Sequence, residues 1–192
     1  HPKWDMGNKI TVDSSTLMNK GLEIIEACIL FDIDANLIDA LIHPESIVHG
    51  LIEFNDASTH AFLSQPTMEI SISSVLFEDN NVDLNKFHLD LKVIKSLNFY
   101  EVDEQKFDAI NLAKKSLYYS GLAPSILNYT NELMVSFFLQ KKILFTDIVA
   151  NNKTFLDQFI VDGNNKLNFS LDDIKESFAI VDEYAQNINL NN

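Results

Sequence analysis

Arginine is missing altogether. All 14 basic residues among the 192 are lysines, set against 28 acidic residues, and no lysine lies between Lys20 and Lys86, where twelve Asp and Glu do. A nucleic-acid backbone or an anionic membrane is bound by clustered Lys and Arg, so a chain of formal charge −14 argues against both as partners. The single cysteine, Cys28, leaves no internal disulfide to staple the fold. Five Gly and four Pro mark few loops. No apolar run reaches the roughly 20 residues of a membrane-spanning helix, and the opening HPKWDMGNK has no signal-peptide core. The expected compartment is the cytoplasm, or a plastid-type organelle reached by a segment outside this sequence. GxGxxG, P-loop, GxSxG and CxxC motifs are all missing, so the chain carries no nucleotide-binding or nucleophile signature of its own.

What is present is a globular composition, 46% apolar and 22% charged. At this length a folded chain buries roughly 70% of its unfolded surface, enough for a core without staples in one or two domains. Residues 1–20 break the acidic trend: Lys3, Lys9 and Lys20 face only Asp5 and Asp13, a local net charge of +1, which makes this the place for a small anion.

Hydrophobic spacing divides the chain. Lys9–Val12 reads as a short strand ending at Asp13-Ser14-Ser15. A helix then begins near Ser14, with Leu17, Ile24, Ile25, Cys28, Ile29 and Phe31 as its apolar stripe. From Ala40 to Leu63 the β-branched and aromatic runs ALIH, IVHGLIEF and STHAFL suit strands, with Asn55-Asp56-Ala57 as a hairpin turn. Apolar residues on both faces of Ile47–Phe54 predict helices packed over that sheet. The acidic, Asn-rich stretch Glu78–Asn85 opens a linker. Beyond Lys106 the pattern is helical over Phe107–Ser120, Ser125–Lys142, Thr146–Phe159 and Ser170–Ile188, with Ser170-Leu171-Asp172-Asp173 as a capping box. The expected class is therefore α+β: a small, mixed, helix-covered sheet in residues 1–80, a linker at 81–105 and a helical bundle at 106–192.

The helix beginning near Ser14 holds the densest polar cluster, Ser14, Asn19, Lys20 and Glu23, with Asn19 and Glu23 on one face at i and i+4. Free N–H groups at a helix start, a hydroxyl and a lysine suit a phosphate, and a carboxylate one turn on suits a divalent metal. An ordinary capped amphipathic helix showing its polar face to water fits the same spacing. His43 and His49 flank Pro44 and Ser46, a weak metal pair without a third ligand nearby, and the spacing favours a hydrogen-bonded structural histidine over it. Trp4 and Met6, beside His1, Lys3 and Gly7, suit either an aromatic flap or an exposed terminal segment.

The string HPKWDMGNKITVDSSTLMNKGLEIIEA resembles the 1-deoxy-D-xylulose 5-phosphate reductoisomerase family, whose pattern is HPxWxMGxKIxxDSATxMNKGLExIEA. The likeness continues through LIHPESIVHG, Phe54–Ser58, QPTM at 65–68, SLNF at 96–99 and APSILNYTNELMVSFFL to FTDI at 123–148, covering the chain as the family's C-terminal half. It implies a metal-assisted skeletal rearrangement followed by NADPH reduction, giving 2-C-methyl-D-erythritol 4-phosphate in the non-mevalonate isoprenoid route. It further implies phosphate binding by Ser14, Asn19 and Lys20 with His1, and Mg²⁺ or Mn²⁺ binding by Glu23. Trp4 and Met6 fall on the family's flap, with Gly7 beside them. Ser46, His49, Pro66 and Met68 fall on its substrate and nicotinamide pocket. By the same resemblance Glu23, Lys20 and His49 are the catalytic candidates, Met6, Gly7 and Met68 the cofactor contacts, and a homodimer the expected assembly.

Three departures stand out: Glu69 where the family has Arg after Met68, Glu78-Asp79-Asn80 for its Pro-x-Arg, and Asn128-Tyr129-Thr130-Asn131-Glu132 for its Asn-Ala-Ala-Asn-Glu. The family's NADPH-binding Rossmann domain and its other metal carboxylates precede the point where this sequence starts, so the expectation is a portion inactive alone. The competing expectations are a catalytically degenerate sugar-phosphate-binding or scaffold module and a stand-alone phosphosugar-binding domain.

Overall fold

The computed structural model describes residues 6–76, 87–186 and 188. The chain forms two compact units: one joins the residues up to Asp39 with those from Asp103 onward, and the other is Ala40–Val102. This partition differs from a division at 80 and 106, because the two N-terminal helices pack into the C-terminal bundle. The expected linker start at Glu78–Asn85 lies outside the described residues.

The first unit opens with α1 (Asn8–Ser15). The strand expected at Lys9–Val12 is helical instead. Its β-branched residues favour extended backbone, but Val12 and Asp13 are buried on one face, and Lys9 pairs with Asp13 one turn on at 2.8 Å. The Thr11 and Ser15 hydroxyls donate back to the carbonyls of Gly7 and Thr11. Helix α2 (Met18–Phe31) follows after a two-residue break. It packs on α4 (Ala109–Tyr119), which in turn meets α5 (Ala123–Leu139), with Pro124 in the first turn of α5 where no N–H is needed. The close approach of α2 to α4 is made at Gly21, where a Cβ would stand 3.1 Å from both the Ala109 carbonyl oxygen and the Ala113 Cβ.

Helices α6 (Asp147–Val161) and α7 (Leu171–Gln186) complete the bundle. Its core runs through Met18, Leu112, Ile126, Leu127, Met134, Ile148, Leu156, Phe159 and Val181. Each such side chain contributes about 1.5–3 kcal/mol of burial. The capping box of α7 forms as expected: the Ser170 N–H and hydroxyl both donate to the Asp173 carboxylate at 2.7 Å, and the Asp173 N–H donates to the Ser170 hydroxyl at 3.2 Å. Lys166 binds the same carboxylate, and together these bonds hold it well below the usual carboxylate range, the lysine having the largest effect. Tyr184 donates to Asp162 at 2.6 Å, and burial first, then that bond, push its phenol up to about 12.

In the second unit two antiparallel pairs replace the mixed sheet expected from sequence. Strand β1 (Leu41–Ile42) pairs with β4 (Tyr100–Glu101), and β2 (Val48–Glu53) pairs with β3 (Thr59–Leu63) through the turn expected at Asn55–Ala57. There the Asp56 carboxylate accepts from the Ser58 N–H and hydroxyl, which hold its pKa down. Leu51, Ile52, Phe54 and Phe62 are exposed, with no helical cover within this unit among the described residues. Helix α3 (Met68–Leu76) follows.

Candidate functional site

The polar cluster sits on either side of a sharp bend. Ser14 occupies the end of α1, whereas Asn19, Lys20 and Glu23 lie on α2, so the single helix expected from Ser14 onward is two helices. The break is built by Thr16 and Leu17. The buried Thr16 hydroxyl donates to the Val12 and Asp13 carbonyls at 3.2 Å and accepts the Met18 N–H at 3.3 Å, so it closes one helix and takes up the first free N–H of the next. Leu17 takes the left-handed conformation with φ 61°, which costs a non-glycine residue about 1–2 kcal/mol.

Within the first turns of α2, Glu23 gathers its neighbours. Its Oε1 accepts from the Asn19 amide at 2.6 Å, and its Oε2 pairs with the Lys20 ammonium. Lys20 and Glu23 are each close to half exposed, so the pair contributes about 0–1 kcal/mol and opens at little cost when a ligand competes for either group. An ammonium, an amide donor and a carboxylate are thus held within one turn at the helix start, a set able to share an anion and a hard cation.

The remaining site residues from sequence distribute as follows. Gly7 is the residue before α1, exposed, and Met6 is half-buried beside it. His1 and Trp4 lie outside the described residues. Ser46, His49 and Met68 belong to the second unit. Ser46 adopts φ 56° in the turn after His43, whose carbonyl accepts the Ser46 N–H at 3.0 Å. The His49 ring faces the Ser64 carbonyl at 3.2 Å, which ties it to the hairpin. Met68 begins α3 and is exposed. His43 does not pair with His49 as a metal site: its Nδ1 lies 2.8 Å from the Asn98 carbonyl and 3.1 Å from Glu45, and its ring stacks on Phe99. The Asn98 side chain donates to Glu45 at 2.5 Å, the main reason that carboxyl is held below its ordinary range. A groove of about 530 Å³ in the same unit is lined by Glu45, Gln65, His88 and Ile94 among others, and includes none of these site residues.

Comparison with known proteins identifies the lineage. The sequence profile of the DXP reductoisomerase C-terminal domain matches residues 63–185, and that of the 1-deoxy-D-xylulose 5-phosphate reductoisomerase C-terminal domain matches residues 1–31. The chain belongs to the DXP reductoisomerase C-terminal domain family. Among its relatives, the 1-deoxy-D-xylulose 5-phosphate reductoisomerase of Sulfurihydrogenibium sp. is 45% identical over 95% of this chain and 47% of its own length. That of Acinetobacter baumannii is 40% identical over 98% of this chain and 47% of its own. The chain therefore spans about half the length of these relatives. A DOX-P reductoisomerase crystal structure in complex with NADPH, fosmidomycin and magnesium superposes with a TM-score of 0.85 at 36% identity, covering 97% of this chain and 47% of that one. The Zymomonas mobilis enzyme in complex with NADPH gives 0.77 at 34% identity, covering 91% and 44%.

Against this family background, the donor set on α2 fits a divalent cation in part. Glu23 offers one exposed carboxylate of the hard-oxygen type that Mg²⁺ takes. No group of three or more His, Cys, Asp or Glu able to hold a metal occurs among the described residues, so further ligands would have to come from elsewhere.

One feature of this reductoisomerase-family fold escapes sequence reading. Behind the bend, the Asn131 amide donates to Asp13 at 2.7 Å and accepts from Asn152 at 3.0 Å, all three side chains being buried. No periodicity links positions 118 residues apart; the Asn-x-x-Asn-Glu run at 128–132 was the only trace of it.

Proposed function

We propose that this chain is the phosphosugar- and metal-binding part of a 1-deoxy-D-xylulose 5-phosphate reductoisomerase, which converts that substrate to 2-C-methyl-D-erythritol 4-phosphate. The observation that carries the proposal is the Asn19–Lys20–Glu23 cluster at the start of α2, in a chain of this family. Lys20 and Asn19 hold the substrate phosphate, together with Ser14 from the end of α1 and His1. Glu23 supplies one carboxylate to Mg²⁺ or Mn²⁺, and gives up Lys20 and Asn19 to the phosphate as it does so. Bound metal polarises the substrate's ketone and hydroxyl oxygens for the rearrangement, and NADPH provides the hydride for the reduction. By the family likeness Ser46, His49 and Met68 are further candidates for substrate and cofactor contact, as are Met6, Gly7 and Trp4, and a homodimer is the expected working form.

This division of labour follows from charge. A phosphate dianion needs a fixed cation and N–H donors, whereas a ketone and its neighbouring hydroxyl need a Lewis acid, and α2 presents the first set and one ligand of the second within a single turn. The test is NADPH oxidation by the full-length protein with 1-deoxy-D-xylulose 5-phosphate and Mg²⁺. Metal-dependent turnover is expected, with Lys20→Met raising KM for the sugar phosphate at least about tenfold through loss of a charge-assisted contact. A folded parent without turnover favours the degenerate binding module, for which Glu69 in place of the family's Arg is the supporting observation.

A further inference from the structure

We infer that Asp13, Asn131 and Asn152 form a positioning network that holds the bend carrying the phosphate-binding residues against the helical bundle. The inference rests on the phosphosugar reading above and adds three residues to it. The chain of bonds runs from α1 through α5 to α6: Asn152 Nδ2 donates to Asn131 Oδ1 at 3.0 Å, and Asn131 Nδ2 donates to Asp13 Oδ1 at 2.7 Å. On the solvent side Lys9 closes it, its ammonium 2.8 Å from Asp13 Oδ2. Asp13 is 3% exposed and the two asparagines are fully buried.

Packing alone does not account for such a network. Apolar side chains of similar volume would fill the same space without the desolvation that a carboxylate and two amides suffer, and at the far end the buried Asn152 Oδ1 has no partner among the described residues. What the polar residues supply is direction. Each hydrogen bond fixes an angle as well as a distance, and Asp13 immediately precedes Ser14. Three residues on, Leu17 is held in the left-handed region, a conformation that persists only where the surroundings over-determine it. The Thr16 hydroxyl, bonded to the carbonyls of Val12 and Asp13, sets the bend from one side, and Asn131 sets it from the other. Lys9 offsets the Asp13 charge, so a carboxylate next to Ser14 does not oppose a phosphate dianion. The network thus orients Ser14 relative to Lys20 across the bend. These are positioning residues, acting through Ser14 and the start of α2.

The test is titration of the full-length, ¹⁵N-labelled protein with inorganic phosphate, following the Ser14 and Lys20 amide resonances, with a thermal melt of each variant. The parent is expected to bind saturably and Lys20→Met to lose binding. Asn131→Leu is expected to weaken phosphate by about tenfold, the loss of one well-oriented contact to a charged group. The triple variant, Asp13→Leu/Asn131→Leu made together with Asn152→Leu so that no buried amide is left without its acceptor, removes the buried charge with its partners and so recovers the melting temperature, but not the phosphate affinity. A purely structural role would return affinity along with stability. The triple variant decides the matter if Asn131→Leu does not fold. Binding by the triple variant within twofold of the parent, while Lys20→Met abolishes it, overturns this inference alone. A parent that does not bind phosphate, or a folded Lys20→Met that still does, overturns the phosphosugar reading and this inference with it.

Discussion

Substituting Gly21 tests how closely α2 is seated on α4, and therefore what fixes the face that presents Asn19, Lys20 and Glu23. A Cβ at this position would lie 3.1 Å from the Ala109 carbonyl oxygen and 3.1 Å from the Ala113 Cβ, a few tenths of an ångström too near to both. Alanine in a helix interior gains about 1 kcal/mol over glycine. Forcing an extra methyl into a packed contact costs about 1–3 kcal/mol, and here one neighbour is backbone and cannot rotate away. Gly21→Ala should therefore fall between neutral and about 2 kcal/mol destabilising. Gly21→Val adds two further methyl groups and loses much of the propensity gain, so a loss of about 2–4 kcal/mol is expected. With a urea m-value of about 2–3 kcal/mol/M for a chain of this size, that is a fall in the unfolding midpoint of about 0.7–2 M. Urea denaturation of the 192-residue chain, followed by circular dichroism, measures it. A Gly21→Val midpoint equal to that of the parent, at unchanged m, would refute the seating of α2 on α4.

Other substitutions probe separate joints. Gly121 has φ +58° and a Cβ there would stand 2.3 Å from the Lys166 carbonyl oxygen, so Gly121→Ala combines left-handed strain with a backbone clash. It should destabilise by at least about 2 kcal/mol in the same assay. Asp173 has a depressed folded-state pKa, so the folded chain binds fewer protons than the unfolded one just below pH 4. Its stabilisation is present above that pH and is lost as pH falls through the folded value. Asp173→Asn should therefore flatten the decline in melting temperature between about pH 4 and pH 2, and a decline as steep as the parent's would count against the cap.

Legibility from sequence followed the range of the interaction. The α7 capping box is written in four consecutive residues, Ser170 to Asp173, and formed as read. The hairpin turn at Asn55–Ala57 is equally local, as are the starts of α4, α5 and α6, which lie within two residues of their expected positions. Helix α1 was misread because Ile10, Thr11 and Val12 prefer extended backbone in isolation, while the burial of Val12 and Asp13 in the bundle decides otherwise. The same tertiary packing sets the partition into units, since nothing in residues 8–31 announces that they pack on helices beginning at Ala109 and Ala123. The i, i+4 spacing of Asn19 and Glu23 made their meeting readable, and the 2.6 Å bond between them agrees. The left-handed turn at Leu17 that separates Ser14 from them was not readable, because leucine carries no signal for it.

The central claim is that Glu23 serves a catalytic divalent metal beside a phosphate held by Lys20. The most direct measurement is kcat for NADPH oxidation by full-length Glu23→Gln, with 1-deoxy-D-xylulose 5-phosphate as substrate and Mg²⁺ titrated, beside the parent. The glutamine keeps the Asn19 contact and the helix but removes the anionic ligand, so kcat should fall at least about 10²-fold and the Mg²⁺ requirement should rise, while the melting temperature changes little. A Glu23→Gln protein that turns over at the parent's rate and Mg²⁺ requirement would contradict the assignment.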